Sequence, residues 1–244
     1  MSILSINKLR RLSLGFPTLD PFFQGFELGD FVVMRGNAAS FMSFVLSVQT
    51  QLPIELGGLS SRTVFVDGGN MFSPYSVAEI ARERGVDSKT ALEKVYVSRA
   101  FTAYQLSSLV LEKLCLVLRK TRARLLIVSD ISSLFLDHDV PKVEAEELFI
   151  KTCSKLSEIA SEKQSIAVVT YLPRKRSRIE LFFEAVLFGK STVLIRLRRK
   201  GQILTFALED HPSIKPFIRN FTIEQAPLNC VHGSAGFGKN RSIL

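Results

Sequence analysis

The sequence predicts an α/β domain: a central, mostly parallel twisted sheet flanked by helices, with antiparallel strands at its C-terminal edge. Three observations lead there. Apolar runs of strand length recur at Phe31–Met34, Thr63–Asp67, Val95–Ser98, Leu125–Val128 and Ile166–Thr170. Segments of helical periodicity separate most of them, which is the pattern of repeated strand–helix–strand units. After Pro173 strands appear without long helices, at 192–198, 202–208 and 217–223. The turn Arg199-Lys200-Gly201 joins the first two of these as a hairpin.

Each element has its own reason. Residues 1–30 carry Gly15, Pro17, Pro21, Gly25 and Gly29 and read as a turn-rich lead-in. Phe31-Val32-Val33-Met34 is a buried strand, Gly36 to Ser40 a small-residue turn, and Phe41 to Leu52 a helix ended by Pro53. Ser73-Pro74 is a helix start with proline at the first helical position, and Gly85 stops that helix after Val77, Ile80 and Ala81. From Ala103 to Lys120 the apolar residues wrap most of the circumference, as in a helix packed on more than one side. Lys142 to Lys163 is a cleaner amphipathic helix with Ala145, Phe149, Cys153, Leu156 and Ala160 on its stripe. The runs 125–128 and 166–170 are apolar throughout, which fits strands covered on both faces.

With 244 residues and 46% apolar content the chain can bury one substantial core, read as one domain over 1–226 with a Gly- and Ser-rich tail over 227–244. No apolar run reaches the roughly 18–20 residues that span a bilayer, and the N-terminus lacks the pattern of a secretory signal. Cys115, Cys153 and Cys230 are scattered and odd in number, which fits core positions in a reducing compartment. His138, His211 and His232 are isolated, so no metal site is expected. The expected location is cytoplasmic. A net charge of +9 favours anionic partners such as nucleic acid.

The strand–turn–helix of residues 31–52 has the setting of a phosphate-binding loop, G-x-x-x-x-G-K-[ST]. Gly36 takes the first glycine's place and Ser43 the final hydroxyl's, whereas Phe41 and Met42 replace the second glycine and the lysine. Phe41 puts a ring where the backbone must come close to phosphate, and Met42 supplies no charge. A hydrogen bond to a charged group contributes roughly 1.5–3 kcal/mol, so losing it alone weakens triphosphate binding by about one to two orders of magnitude. On this stretch by itself two readings stay open: an eroded phosphate loop, or a strand–turn–helix that never held phosphate. Gly233 to Asn240 also matches G-x-x-x-x-G-K, but it follows no convincing strand and has no room for the helix that holds phosphate.

Several segments line up in order: LSLGFPTLDPFFQGFELGDFVVMRG, TVFVDGGNMFSPYSVAEIARERGVD, VYVSRAFTAYQ, RLLIVSDISSLF and STVLIRLRRKG. Together, over roughly residues 12–224, they resemble the ATPase core of archaeal-type RadA, a RecA-family recombinase. The resemblance implies a RecA-like core, and in the family that core hydrolyses ATP and polymerises on DNA. The departures imply otherwise for this chain. Gly69 stands where the family has a water-activating glutamate, and glycine cannot act as a base. Ser129 stands where the family has a magnesium-associated aspartate, with Asp130 one step later, where strand alternation would turn the carboxylate away. Tyr171-Leu172 replaces the family's polar sensor pair. The dozen residues ahead of the core would be too few for the family's helical N-terminal domain and polymerisation motif, and Phe182 to Ala185 matches F-x-x-A at the chance level for 19 phenylalanines.

The resemblance also locates two DNA-facing loops. The first, near Leu134 to Glu147, is acidic here. The second, near Leu172 to Ser191, opens with Arg174, Lys175, Arg176 and Arg178, either a phosphate-contacting patch or an ordinary solvated charge run. Arg196, Arg198, Arg199 and Lys200 extend that patch or protect an edge strand. Gly36, Ser40, Ser43, Asp67 and Asp130 are the remnants of the nucleotide site. The leading expectation is a non-catalytic paralogue with no cofactor, acting in DNA recombination or repair by binding DNA, a RadA-type recombinase or its own copies. The alternatives are an atypical ATPase that completes its site from a neighbouring subunit, with Ser43, Asp67 and Asp130 as its remnants and Lys239 as a remote cation, and a structural or inhibitory protein-interaction module without DNA affinity.

Overall fold

The strand that opens residues 31–52 sits near the middle of an eight-stranded sheet in the computed structural model, which describes residues 11–163, 165–173 and 177–222. In chain order the strands of this sheet are β3 (Phe31–Arg35), β4 (Thr63–Asp67), β5 (Val95–Arg99), β6 (Leu125–Ser129), β7 (Ile166–Tyr171), β8 (Val193–Lys200), β9 (Ile203–Asp210) and β10 (Phe217–Thr222). Their order across the sheet is β10-β9-β8-β3-β7-β6-β4-β5. β3 is parallel to both of its neighbours, β7 and β8, and only the pairs β8–β9 and β9–β10 are antiparallel. A separate antiparallel pair, β1 (Arg11–Leu12) and β2 (Phe26–Glu27), belongs to the lead-in.

Side-chain alternation divides the apolar core in two. Val32, Met34, Ile127 and Val168 point to the face covered by α1 (Ala39–Gln49) and α2 (Pro74–Glu83). Phe31, Val33, Val128 and Val169 point to the other face, under α4 (Ala103–Ser108), α5 (Leu114–Thr121), α6 (Lys142–Lys163) and α7 (Arg178–Lys190). The Ser73 hydroxyl accepts the Ser76 N–H and caps α2, with Pro74 at its first position. Among the described residues no helix is long and apolar enough to cross a membrane.

Several boundaries differ from the sequence-based expectation. The helix after β3 starts at Ala39, so the small-residue turn shrinks to 36–38. A short helix, α3 (Ser88–Glu93), follows an Asp87 cap. The helix expected over 103–120 is interrupted by a π turn at Leu109–Lys113. Its buried residues Leu106, Val110, Leu114 and Leu118 are spaced by fours. At 3.6 residues per turn such a row drifts by roughly 40° per step, and the wider π turn brings it back onto the core.

Residues 178–190, expected to be loop, form α7. Ser177 and Glu180 close a reciprocal capping box at its start. The hairpin turn is Gly201-Gln202 rather than 199–201, because β8 runs on to Lys200, which pairs with Ile203. The edge strands of the sheet are β5 and β10. Cys153 is buried on the inner face of α6 and Cys115 half-buried; Cys230, His232, the 227–244 tail with its Gly233 to Asn240 pattern, and the domain limit at 226 lie outside the described residues.

Candidate functional site

The turn that follows β3 is closed by β8. Gly36 has φ = 106°, and a Cβ built there would stand 2.2 Å from the Leu197 carbonyl oxygen. Only glycine meets both conditions. The Gly36 N–H donates to the Tyr171 carbonyl at 3.1 Å, and the Ala38 N–H is directed at the Leu197 carbonyl at 3.4 Å. Asn37 completes the seal: its amide donates to the Arg199 carbonyl (3.0 Å) while its own oxygen accepts the Arg199 N–H (2.8 Å). A phosphate cradle needs unpaired N–H groups aimed at an anion. Here Gly36 and Ala38 aim theirs at backbone carbonyls.

This overhang follows from register. β3 ends at Arg35 opposite Arg196, so Leu197 to Lys200 extend past it and lie over the turn. The closure therefore comes from the β8 backbone, not from the bulk of Phe41 and Met42 that the sequence singles out. Met42 is 1% exposed in the core, and Phe41 is half-buried against it. Ser43 is fully buried, and its hydroxyl donates to the Ser40 carbonyl one turn back. Ser40 itself lies inside the first turn of α1, half-buried.

Asp67 ends β4 with no solvent exposure. One carboxylate oxygen accepts the Met71 N–H (2.9 Å) and the Ser129 hydroxyl (2.8 Å); the other accepts the Phe72 N–H (3.0 Å) and lies 3.4 Å from the Arg99 guanidinium. The carboxylate is thereby committed to holding the loop 68–72 onto β5 and β6. Ser129 and Arg99 were not singled out as its partners from the sequence. The parallel register Asp67↔Ser129 and Asp67↔Arg99 brings the three together.

Asp130 corrects a specific expectation. Strand alternation does not govern it, because β6 stops at Ser129 and Asp130 has φ = 45°. Its N–H donates to the Thr170 hydroxyl at 2.8 Å. A Cβ on Gly69 would meet the Asp130 Cβ at 2.8 Å and a carboxylate oxygen at 3.3 Å. Asp130 thus fills the room beside Gly69 that a larger side chain there would take. Tyr171 is buried, and burial together with the nearby Glu184 and Glu180 carboxylates pushes its phenol well above the ordinary range. Its hydroxyl makes no hydrogen bond of normal geometry, although Glu184 is close enough to act on it.

Of the basic candidates, Arg174, Lys175 and Arg176 lie outside the described residues. Arg178 is exposed at the start of α7. Arg198 and Lys200 are exposed on the β8 overhang, whereas the Arg199 side chain donates to the Gly201 carbonyl. Arg196 is tied to Glu209 (3.0 Å), which also takes two hydrogen bonds from Arg35 (2.6 and 2.8 Å). The acidic first loop is short: a 3₁₀ turn, Ser133–Leu136, leads almost directly into α6. There His138 is not isolated, since its ring nitrogens lie 3.0 and 3.1 Å from Asp137 and Asp139 in an exposed cluster.

The comparisons with known proteins cover the parallel part of this architecture. The Rad51 family model matches residues 25–172, from β2 through β7. The "DNA repair protein RAD51" of Mycosarcoma maydis is 27% identical over 133 residues, 53% of this chain and 39% of that relative. The chain therefore matches well under half of that relative's length. A parallel β3–β7 core with β8 to β10 beside it is the RecA-like arrangement, and with more than half of its residues matched, the chain belongs to the Rad51 family.

Proposed function

We propose that this chain is a non-catalytic Rad51-family protein of the archaeal RadA-like type, acting in DNA recombination or repair, in the cytoplasm, by binding rather than by hydrolysis. The observation that carries this reading is the closed turn after β3, where the Leu197 carbonyl of β8 takes the Ala38 N–H, the Tyr171 carbonyl takes the Gly36 N–H, and Arg199 holds the Asn37 side chain over the turn. The commitment of Asp67 to Ser129, Arg99 and two backbone N–H groups supports it, since none of these is left to hold a metal or orient water. DNA is the proposed partner of Arg174, Lys175, Arg176 and Arg178, together with Arg198, Arg199 and Lys200, and the net charge of +9 supports that assignment.

Titration with a fluorescent ATP analogue and a phosphate-release assay test the first half. No saturable binding and no turnover are expected; micromolar affinity with turnover overturns the reading. Electrophoretic shift at low and moderate salt tests the second half. A salt-sensitive shift with little sequence preference is expected.

A second reading is favoured by the free edge of the sheet. Among the described residues β5 is an edge strand with no neighbour on its outer side, and Tyr96, Val97, Phe101 and Tyr104 on and just after it are 38–65% exposed. An unpaired edge beside aromatic residues suits addition of a strand from a recombinase or from a second copy of this chain. On that reading the protein is an interaction module, and absence of any shift at low salt favours it.

A further inference from the structure

A second basic feature lies at the other end of the sheet. β4 and β6 are parallel neighbours in the register Thr63↔Leu125, so the residues just before them, Arg62 and Arg124, stand side by side. They lie five residues, roughly 17 Å, from the Asp67–Ser129 corner. Arg122 ends α5 in the left-handed conformation. These three arginines, with Ser60, Ser61 and Thr121, line an open cavity of about 520 Å³ whose lining contains no carboxylate.

The local bonding shows what this cavity has to offer. The Ser61 hydroxyl accepts the Arg124 N–H at 3.0 Å and holds the two loops together. One Arg62 nitrogen donates to the Thr121 carbonyl at 3.2 Å, and the guanidinium lies 6.0 Å from the centre of the Tyr96 ring. The side chains of Arg122 and Arg124 make no hydrogen bond or ion pair among the described residues. Three like charges around one concavity repel one another, and an anion inside it reverses the sign of that interaction.

We propose that this cavity is a phosphate-binding groove that takes the sugar-phosphate backbone of a nucleic-acid strand. The donor set selects a strand over a single free phosphate. An enclosed site for one phosphate converges backbone N–H groups on it. Here the Arg124 N–H is spent on Ser61 and the Ser60 and Ser61 N–H groups on the Leu52 and Thr50 carbonyls, so the charged donors are long guanidinium side chains in an open groove. Such donors suit several spaced phosphates. The inference rests on the DNA-binding reading above and adds a contact surface that the Rad51 resemblance did not bring to attention.

The test uses the full chain and a fluorescein-labelled single-stranded oligonucleotide, followed by anisotropy between about 50 and 200 mM salt. The variant Arg62→Gln/Arg122→Gln/Arg124→Gln is expected to bind about tenfold more weakly at the low-salt end. Its slope of log affinity against log salt should be shallower by roughly 2, the value for three phosphate contacts on a single strand. Because Arg62 also holds Thr121, the pair Arg122→Gln/Arg124→Gln is measured beside it and should show about two-thirds of the slope change with an unchanged melting temperature.

Unchanged affinity and slope in both variants, with loss confined to Arg174→Gln/Lys175→Gln/Arg176→Gln, overturns the groove and leaves the DNA-binding reading intact. A wild-type chain that does not bind at low salt overturns both. Protection of Arg122 and Arg124 from phenylglyoxal by the oligonucleotide supports the groove. Protection by inorganic pyrophosphate alone assigns the site to a small phosphorylated ligand and overturns the strand.

Discussion

The carbonyl oxygen of Leu197 stands 2.2 Å from where a Cβ on Gly36 would be, and it accepts the N–H of Ala38. Strand and turn are therefore closed on each other without room for a methyl group. Gly36→Ala combines backbone strain at φ = 106° with a backbone clash. A loss of about 3 kcal/mol is expected, read as a fall in melting temperature of roughly 6–12 °C for a chain of this size. A neutral Gly36→Ala would mean that β8 does not sit on the turn.

Restoring the missing lysine should not restore nucleotide binding. Met42 is buried in the core beside Val45 and Leu46, not aimed at the turn's open side. Met42→Lys is expected to cost roughly 2–5 kcal/mol by burying an ammonium group. Phe41→Gly/Met42→Lys should likewise give no saturable signal with a fluorescent ATP analogue, since Leu197 and Arg199 still close the turn. Binding by the double variant would refute the closure.

The Asp67 carboxylate should behave as a structural anchor. Asp67→Asn keeps the size but loses the charge facing Arg99 and sets an amide against N–H donors, at a cost of about 2–4 kcal/mol. Ser129→Ala removes a single hydrogen bond and should cost about 1 kcal/mol. Urea melts of the two single variants and the double variant give the coupling between them. Strict additivity would argue against the 2.8 Å contact.

His211 sets a pH dependence. Burial pushes its imidazole below the ordinary value, against the opposing pull of Asp30 and Glu27, and its Nδ1 accepts the N–H groups of Ser213 and Ile214. A histidine whose folded value is depressed binds its proton more readily when unfolded. Its contribution is therefore present above the unfolded value and lost as pH falls from there through the lower folded value. Between about pH 7.5 and 5.5 the wild type should lose stability by less than about 1 kcal/mol, since the ring is partly solvated. His211→Gln should show a smaller loss over the same range, measured by thermal melts at each pH.

What the sequence made legible was the part held by short-range rules. The runs at 31, 63, 125 and 166 became β3, β4, β6 and β7, because a strand covered on both faces has to be apolar along most of its length, whereas the run at 95 became β5, a largely exposed edge strand. The helix α7 escaped because Ile179, Leu181, Phe182, Val186 and Phe188 leave no single apolar stripe. The Ser177–Glu180 capping box was the one local signal for it. Asp130 was misplaced because the end of β6 and a positive φ depend on Thr170, forty residues away in the chain. The sequence directs attention to Phe41 and Met42, yet what lies over this turn is backbone from β8, and backbone carries no sequence signature.

Asn37 and Arg199 are 162 positions apart. During synthesis the turn emerges long before the hairpin that covers it, and a loop of that length is slow to close. Until then the Ala38 amide and the Asn37 side chain lack the β8 partners that cover them. The cover over this turn is therefore among the last parts of the corner to be made, after both of the strands that flank it in the parallel sheet have been synthesised.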